Sequence, residues 1–176
     1  MHREAVIHIA DESELAIVAQ LARQIWPVAY GNILSADQIA YMLQLIYSEA
    51  ALRRQLQEEK QQFIIARLDG EPVGYASWSL IEEPGVYKLH KLYVVPSCQG
   101  KGIGIQMVRY ILDQLPPGAT ALRLHVNRYN PARYFYEKCG FTIIAQADIP
   151  IGEGYFMNDY VMERKIGPTA SKHTPG

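Results

Sequence analysis

Three glycines at every second position mark one stretch of the sequence: Gly100, Gly102 and Gly104. The residues before them alternate, are rich in β-branched and aromatic types, and end at Pro96, which predicts a strand over 87–95. The residues after them have the spacing of a helix packed on one face, with apolar side chains at Val108, Ile111, Leu112 and Leu115. A glycine-rich turn into a helix presents free backbone N–H groups at the positive end of the helix dipole. The sequence therefore predicts an anion site here, most naturally for phosphate.

The spacing of these glycines excludes two common phosphate-binding motifs. A dinucleotide fingerprint would need glycine at Ile105 or at Met107, and neither position has one. A nucleotide P-loop would need Ser or Thr after Gly100-Lys101, where Gly102 stands.

The same stretch resembles the pyrophosphate loop of the GNAT superfamily of acyl-CoA-dependent N-acyltransferases, written Q/R-x-x-G-x-G/A. Gln99, Gly102 and Gly104 fill that pattern. The resemblance implies acetyl-CoA as co-substrate, and it implies that the strand residues Leu92, Tyr93 and Val94 pair with the pantetheine arm. It further implies a pyrophosphate-binding loop made of Gln99, Gly100, Lys101, Gly102, Ile103 and Gly104.

A second informative stretch runs from Asn130 to Phe141. Asn130 before a proline is typical of a helix start and Gly140 of a left-handed helix end, so we expect a helix over 131–139. Tyr136 lies on its apolar face, either as a core tyrosine bonded to a backbone carbonyl or as a proton donor. The stretch resembles the second GNAT signature, A-x-x-F-Y-E-K-x-G-F. That resemblance implies that Tyr136 protonates the leaving CoA thiolate, with Asn130 and Lys138 on the cofactor side.

Acetyl transfer to an amine also needs a group that takes the amine proton. His90 shares a strand face with Leu92 and Val94, and an imidazole of ordinary pKa, about 6.5, suits that role. A packed, hydrogen-bonded histidine is the alternative, as is a water chain. Cys98 and Cys139 have no matching His and acid, so we expect both to be structural, and we expect no metal.

Length and composition favour one domain over residues 1–166, followed by a disordered tail over 167–176. The chain has 176 residues and is 49% hydrophobic, with Lys+Arg 17 against Asp+Glu 18. This near balance argues against nucleic-acid or membrane partners. Two cysteines and the lack of a signal-like N-terminus predict a cytoplasmic protein, and a homodimer is left open.

The order of predicted elements is helices first, then a mostly antiparallel sheet with helices inserted after its central strands. We expect a mixed α/β fold, with about seven strands and four to five helices. The GNAT resemblance implies that the sheet is twisted and splayed at the acetyl-CoA site. We expect Pro27 to close the first helix, a strand over 141–146, and a loop over 149–154.

The acyl acceptor is predicted to be a small primary amine, with polyamines as one option. Trp26, Tyr30 and Tyr155 are the aromatic candidates for holding an organic cation. Three acids accompany the last of them in sequence, Asp148, Glu153 and Asp159. A peptide N-terminus, a lysine side chain, and a non-catalytic acyl-CoA-binding module are the alternatives.

Overall fold

The computed structural model describes residues 4–167, so nearly all of the predicted tail, residues 168–176, lies outside the described residues. Within the described part the chain forms five α-helices and a sheet of seven strands. The helices are α1 (Leu15–Tyr30), α2 (Ala36–Tyr47), α3 (Glu49–Gln57), α4 (Ile103–Gln114) and α5 (Ala132–Lys138). The strands are β1 (Val6–Ile9), β2 (Gln62–Leu68), β3 (Glu71–Glu82), β4 (Val86–Val94), β5 (Ala121–Asn127), β6 (Thr142–Gly152) and β7 (Tyr155–Lys165).

The strands follow the order β1-β2-β3-β4-β5-β7-β6. The β1–β2, β2–β3, β5–β7 and β6–β7 pairs are antiparallel, and β4–β5 is parallel. A parallel pair needs a crossover connection, and α4 provides it between β4 and β5. The prediction of a mixed α/β fold with a mostly antiparallel sheet is confirmed.

The described residues group into two compact units, 4–79 with Lys91–Asp113 and Leu80–His90 with 114–167. The prediction of one domain over residues 1–166 stays a prediction. No helix among residues 4–167 combines the length and the apolar content needed to cross a bilayer.

In the first unit, two helices begin at serines whose side chains cap them. The Ser35 hydroxyl accepts from the backbone N–H of Gln38 at 3.1 Å, and the Ser48 hydroxyl accepts from that of Ala51 at 3.2 Å. Each bond satisfies one of the free donors of a helix start, of α2 and α3 respectively.

The prediction that Pro27 closes the first helix is wrong. Helix α1 continues to Tyr30 with Pro27 inside it. A proline removes one backbone donor, and here the buried face of the same helix, which includes Ile25 and Trp26, holds the turn in place. The turn ends at Gly31, where an added Cβ would lie 2.5 Å from the Pro27 carbonyl oxygen.

In the second unit, β5 divides its residues between two faces. Leu122, Leu124 and Val126 are buried, whereas the alternate residues Arg123 and His125 are half-buried. One face of this strand is therefore core, and the other carries polar side chains.

The predicted loop over 149–154 is also wrong. Strand β6 extends to Gly152, and the hairpin turns at Glu153 and Gly154, which have φ of 56° and 79°. Pro150 lies opposite Phe156, on a strand that is last in the sheet order. A proline is tolerated on an edge strand because its missing N–H faces no partner, so it does not stop β6.

Candidate active site

The loop between β4 and α4 has the backbone that its glycines predict. Gly100 and Gly102 have φ of 81° and 80°, a region that other residues avoid, and a Cβ built at either would meet nothing within 4 Å. The side chain of Gln99 donates from Nε2 to the Val94 carbonyl oxygen at 3.3 Å, which ties the loop to the strand before it. The glycines are thus required by conformation, and the space beside them is open.

Helix α4 follows this loop directly. Its start is anchored by Ile103 and Met107, which are 1% and 0% exposed. The backbone N–H of Gln106 donates to the Gly102 carbonyl oxygen at 3.1 Å, so the N–H groups of residues 103–105 precede this first helical bond. A helix start with free donors beside left-handed glycines can bind a phosphate group.

The end of β4 that leads into the loop is held from two sides. The Val95 N–H donates to the Val73 carbonyl oxygen at 2.8 Å. Tyr93 forms a hydroxyl–hydroxyl bond of 2.8 Å with Tyr30. The three strand residues predicted to meet the pantetheine arm are each half-buried, Leu92, Tyr93 and Val94.

Two of the aromatic acceptor candidates belong to a cluster in the first unit. Trp26 is 3% exposed, and its ring centroid lies 4.7 Å from that of Tyr30 and 5.7 Å from those of Tyr47 and Tyr93. Tyr30 is half-buried. Trp26 is therefore placed to support Tyr30 and Tyr93 by packing.

Tyr136 lies in the second unit, on α5, and is 9% exposed. Its ring packs edge-on against Phe135 and Phe141, at centroid distances of 5.3 and 5.8 Å. The helix is one residue shorter at each end than predicted. The Asn130 side chain still accepts from the Ala132 N–H at 2.9 Å, and Gly140 has the expected positive φ of 91°.

Lys138 and Tyr155 are the remaining predicted site residues of the second unit. Lys138 is exposed in the last turn of α5, and Tyr155 is half-buried at the start of β7. Asp148 is exposed and pairs with Arg128 at 2.7 Å.

A polar face of the second unit was not foreseen as a group. The β4–β5 pairing ends at Leu89 opposite Leu124, and a histidine follows directly on each strand, His90 and His125. The groups on this face come from β4, β5 and β7, and they are Lys88, His90, Arg123, His125, Asp159 and Glu163.

The two ion pairs on this face differ in distance and in burial. Arg123 donates to Glu163 at 2.7 Å. His125 Nδ1 lies 3.7 Å from a carboxylate oxygen of Asp159, and Asp159 is 1% exposed. Burial lowers the pKa of Lys88, and the negative charge of Asp159 partly opposes that shift. The alternation of polar residues on β5 was the available signal, but the sequence does not reveal that β7 places an acid beside them.

Among residues 4–167 no group of three or more His, Cys, Asp or Glu side chains is arranged to hold a metal ion.

A left-handed glycine loop leads from β4, the middle strand of the sheet order, into α4, which is the arrangement that the GNAT resemblance implies for a pyrophosphate loop. The sequence profile of the acetyltransferase (GNAT) family matches residues 19–141. An uncharacterized N-acetyltransferase of Mycobacterium tuberculosis is 31% identical over 160 residues, which cover 90% of this chain and 99% of the relative. The chain belongs to the GNAT family and is an N-acetyltransferase, which confirms the resemblance.

Two further proteins are similar to the chain. The N-alpha-acetyltransferase RimI of Mycobacterium tuberculosis is 33% identical over 94 residues, covering 52% of this chain and 59% of RimI. The crystal structure of PaiA N-acetyltransferase from Thermoplasma acidophilum, in complex with coenzyme A, has a TM-score of 0.74 at 24% identity, covering 93% of this chain and 100% of that one. The likeness to the second protein concerns the fold.

Proposed function

We propose that the chain transfers the acetyl group of acetyl-CoA to a primary amine of a small molecule. The observation that carries the proposal is the open left-handed loop at the start of α4, since such a loop can accept a pyrophosphate through backbone N–H groups. The family supplies the reaction class, and the PaiA structure holds coenzyme A.

We propose that acetyl-CoA binds to the residues that the GNAT resemblance indicates. The pyrophosphate would lie on residues 99–104, and the pantetheine arm would pair with residues 92–94. The Asn130 side chain accepts from the N–H of Ala132, the first residue of α5, and Lys138 lies in the last turn of that helix. Both would act on the cofactor side.

In the reaction, the neutral amine attacks the thioester carbonyl carbon, and the carbon–sulfur bond then breaks. Tyr136 would donate its hydroxyl proton to the departing sulfur, because its buried ring is held in place by Phe135 and Phe141. His90 is the base candidate that the sequence favours for the amine proton, and it is half-buried on β4. No covalent acyl-enzyme is required.

The preference for a small amine rests on half-exposed aromatic side chains. Tyr30 and Tyr155 are each half-buried, and aromatic faces attract organic cations. Trp26 would contribute by holding Tyr30. A peptide α-amine is the second candidate acceptor, and the similarity to the N-alpha-acetyltransferase RimI favours it.

Thiol release from acetyl-CoA tests both acceptors. We expect turnover that saturates with spermidine and other diamines. The kcat/KM for N-terminal and lysyl peptides should be much lower. Turnover of peptides with none of the small amines would move the assignment to the second candidate. Binding of acetyl-CoA without turnover of any amine would favour a non-catalytic module.

We further propose a cytoplasmic location, which the free thiols of Cys98 and Cys139 favour because such thiols persist in reducing compartments. Fractionation of expressing cells would check it. Sedimentation of the purified chain would decide whether it forms a homodimer.

A further inference from the structure

Asp159 is a buried carboxylate without a hydrogen-bond donor. It is 1% exposed, and neither of its carboxylate oxygens has a hydrogen-bond partner in the described structure. On the sheet it lies opposite Asn127 of β5 and Ala147 of β6. Buried carboxylates are almost always hydrogen-bonded, so this group calls for a donor that reaches it.

His125 is placed to be that donor. It lies diagonally across from Asp159, since its own partner on β7 is Val161, and diagonal neighbours are within reach of one another. Its Nδ1 is 3.7 Å from Asp159 Oδ2, an ion-pair contact that is longer than a hydrogen bond and that a small rotation of the ring would shorten. The imidazole side chain is 25% exposed and the carboxylate 1%, so the imidazole reaches solvent and the acid does not.

We propose that Asp159 holds His125 as the tautomer protonated at Nδ1, and that the free Nε2 of His125 accepts the proton of the acceptor amine. A carboxylate can only accept hydrogen bonds, so the ring nitrogen facing it must carry the hydrogen. The other nitrogen then keeps its lone pair. His125 is the proton acceptor in this scheme, and Asp159 is a positioning residue. The proposal rests on the proposed acetyl transfer and deepens it.

The proton balance of the step is complete without any further reactant. The amine nitrogen forms a bond to the carbonyl carbon and gives one proton to Nε2 of His125. The carbon–sulfur bond breaks with its electron pair on sulfur, which takes the proton of the Tyr136 hydroxyl. His125 then releases its proton to water, and Tyr136 regains one.

The other charged groups on this face are accounted for strand by strand. Strand β4 contributes Lys88 and His90, and β5 contributes Arg123, whose charge is paired with Glu163 of β7 at 2.7 Å. On β6 the residues opposite Val161 and Asp159 are alanines. His125 Nδ1 lies within ion-pairing distance of the Asp159 carboxylate, at 3.7 Å.

His90 is the competing base, because it also follows the last β4–β5 pair. The structure gives His125 a buried acid at 3.7 Å, and this favours it as the residue that is oriented for proton transfer.

Nitrogen NMR of the wild-type chain tests the pairing without any variant or turnover. We expect the neutral His125 ring to carry its hydrogen on Nδ1, and the Asp159→Asn variant to shift it toward Nε2. A wild-type ring protonated at Nε2 would overturn the proposal. This measurement stands even if no amine is acetylated, so it fails independently of the proposed function.

Kinetics then test the role. His125→Gln should lower kcat/KM by about 10²- to 10⁴-fold and remove the acidic limb of its pH profile, with acetyl-CoA affinity by calorimetry kept. Glu163→Gln is the matched control, because it removes a carboxylate from the same strand face, and it should keep the limb. Loss of the limb in His90→Gln but not in His125→Gln would assign the base to His90 and refute the proposal.

Discussion

Gly102 allows the loop conformation to be tested apart from the space around it. Its φ is 80°, and a Cβ added there meets nothing within 4 Å, so Gly102→Ala introduces strain without a clash. An L-residue in the left-handed region costs about 1–2 kcal/mol. That energy corresponds to a factor of roughly 5–30 in the population of the native loop. If the loop binds the pyrophosphate, the Kd for acetyl-CoA should rise by the same factor.

Gly70 provides the matched control for this experiment. It has φ of 83° in the turn between β2 and β3, and its added Cβ also meets nothing within 4 Å. Gly70→Ala should therefore lower Tm much as Gly102→Ala does, yet leave the Kd for acetyl-CoA unchanged in calorimetry. Gly102→Asp, which adds a negative charge, should remove measurable binding. Wild-type affinity in a folded Gly102→Asp variant would refute the loop as the cofactor site.

Three further predictions concern catalysis, stability and pH. Tyr136→Phe should lower kcat by about 10²- to 10⁴-fold with unchanged acetyl-CoA affinity, and wild-type turnover under rate-limiting chemistry would leave Tyr136 a core residue. Ser48→Ala should lower the free energy of unfolding by about 0.5–2 kcal/mol in urea titration, because it removes the bond to Ala51 that caps α3; Ser48→Asp, which keeps a cap, should not. The bond from His8 at 2.9 Å lowers the pKa of Glu14, so the stability it contributes is full above the unfolded carboxyl's pKa and is lost as pH falls through the folded pKa. The Tm difference between wild type and Glu14→Gln should accordingly shrink below about pH 4, and a pH-independent difference would contradict this linkage.

Features set by neighbours in the chain were predictable from the sequence. The strand into the glycine loop was expected over 87–95 and is found at Val86–Val94. The caps at Ser35 and Ser48 follow from a hydroxyl three residues before a free N–H. Pro27 misled the prediction because its local preference against helix interiors is weaker than the burial of the helix face around it.

The polar face depended on pairing that the sequence does not reveal. Arg123 and His125 alternate with buried residues of β5, which the sequence does indicate. Their ionic partners come from β7, and only the register of His125 opposite Val161 and Arg123 opposite Glu163 brings those acids to the same face. A shift of one residue in that register would move Asp159 to the other face, so no local pattern could identify the pair.

A second buried charge on the sheet shows why Asp159 points to function. Lys91 is 6% exposed, and its ammonium donates to the side-chain oxygens of Gln55 at 2.7 Å and Gln61 at 3.1 Å. It also lies 5.3 Å from the centroid of the Phe63 ring. A buried cation surrounded by acceptors in this way is held within the fold and has a packing role. Asp159 is also buried, but its carboxylate has no hydrogen bond, which lowers the stability of the free chain. Folded proteins depart from full hydrogen-bond satisfaction mainly where a functional site requires it, and the imidazole beside this carboxylate is the group that such a site would use.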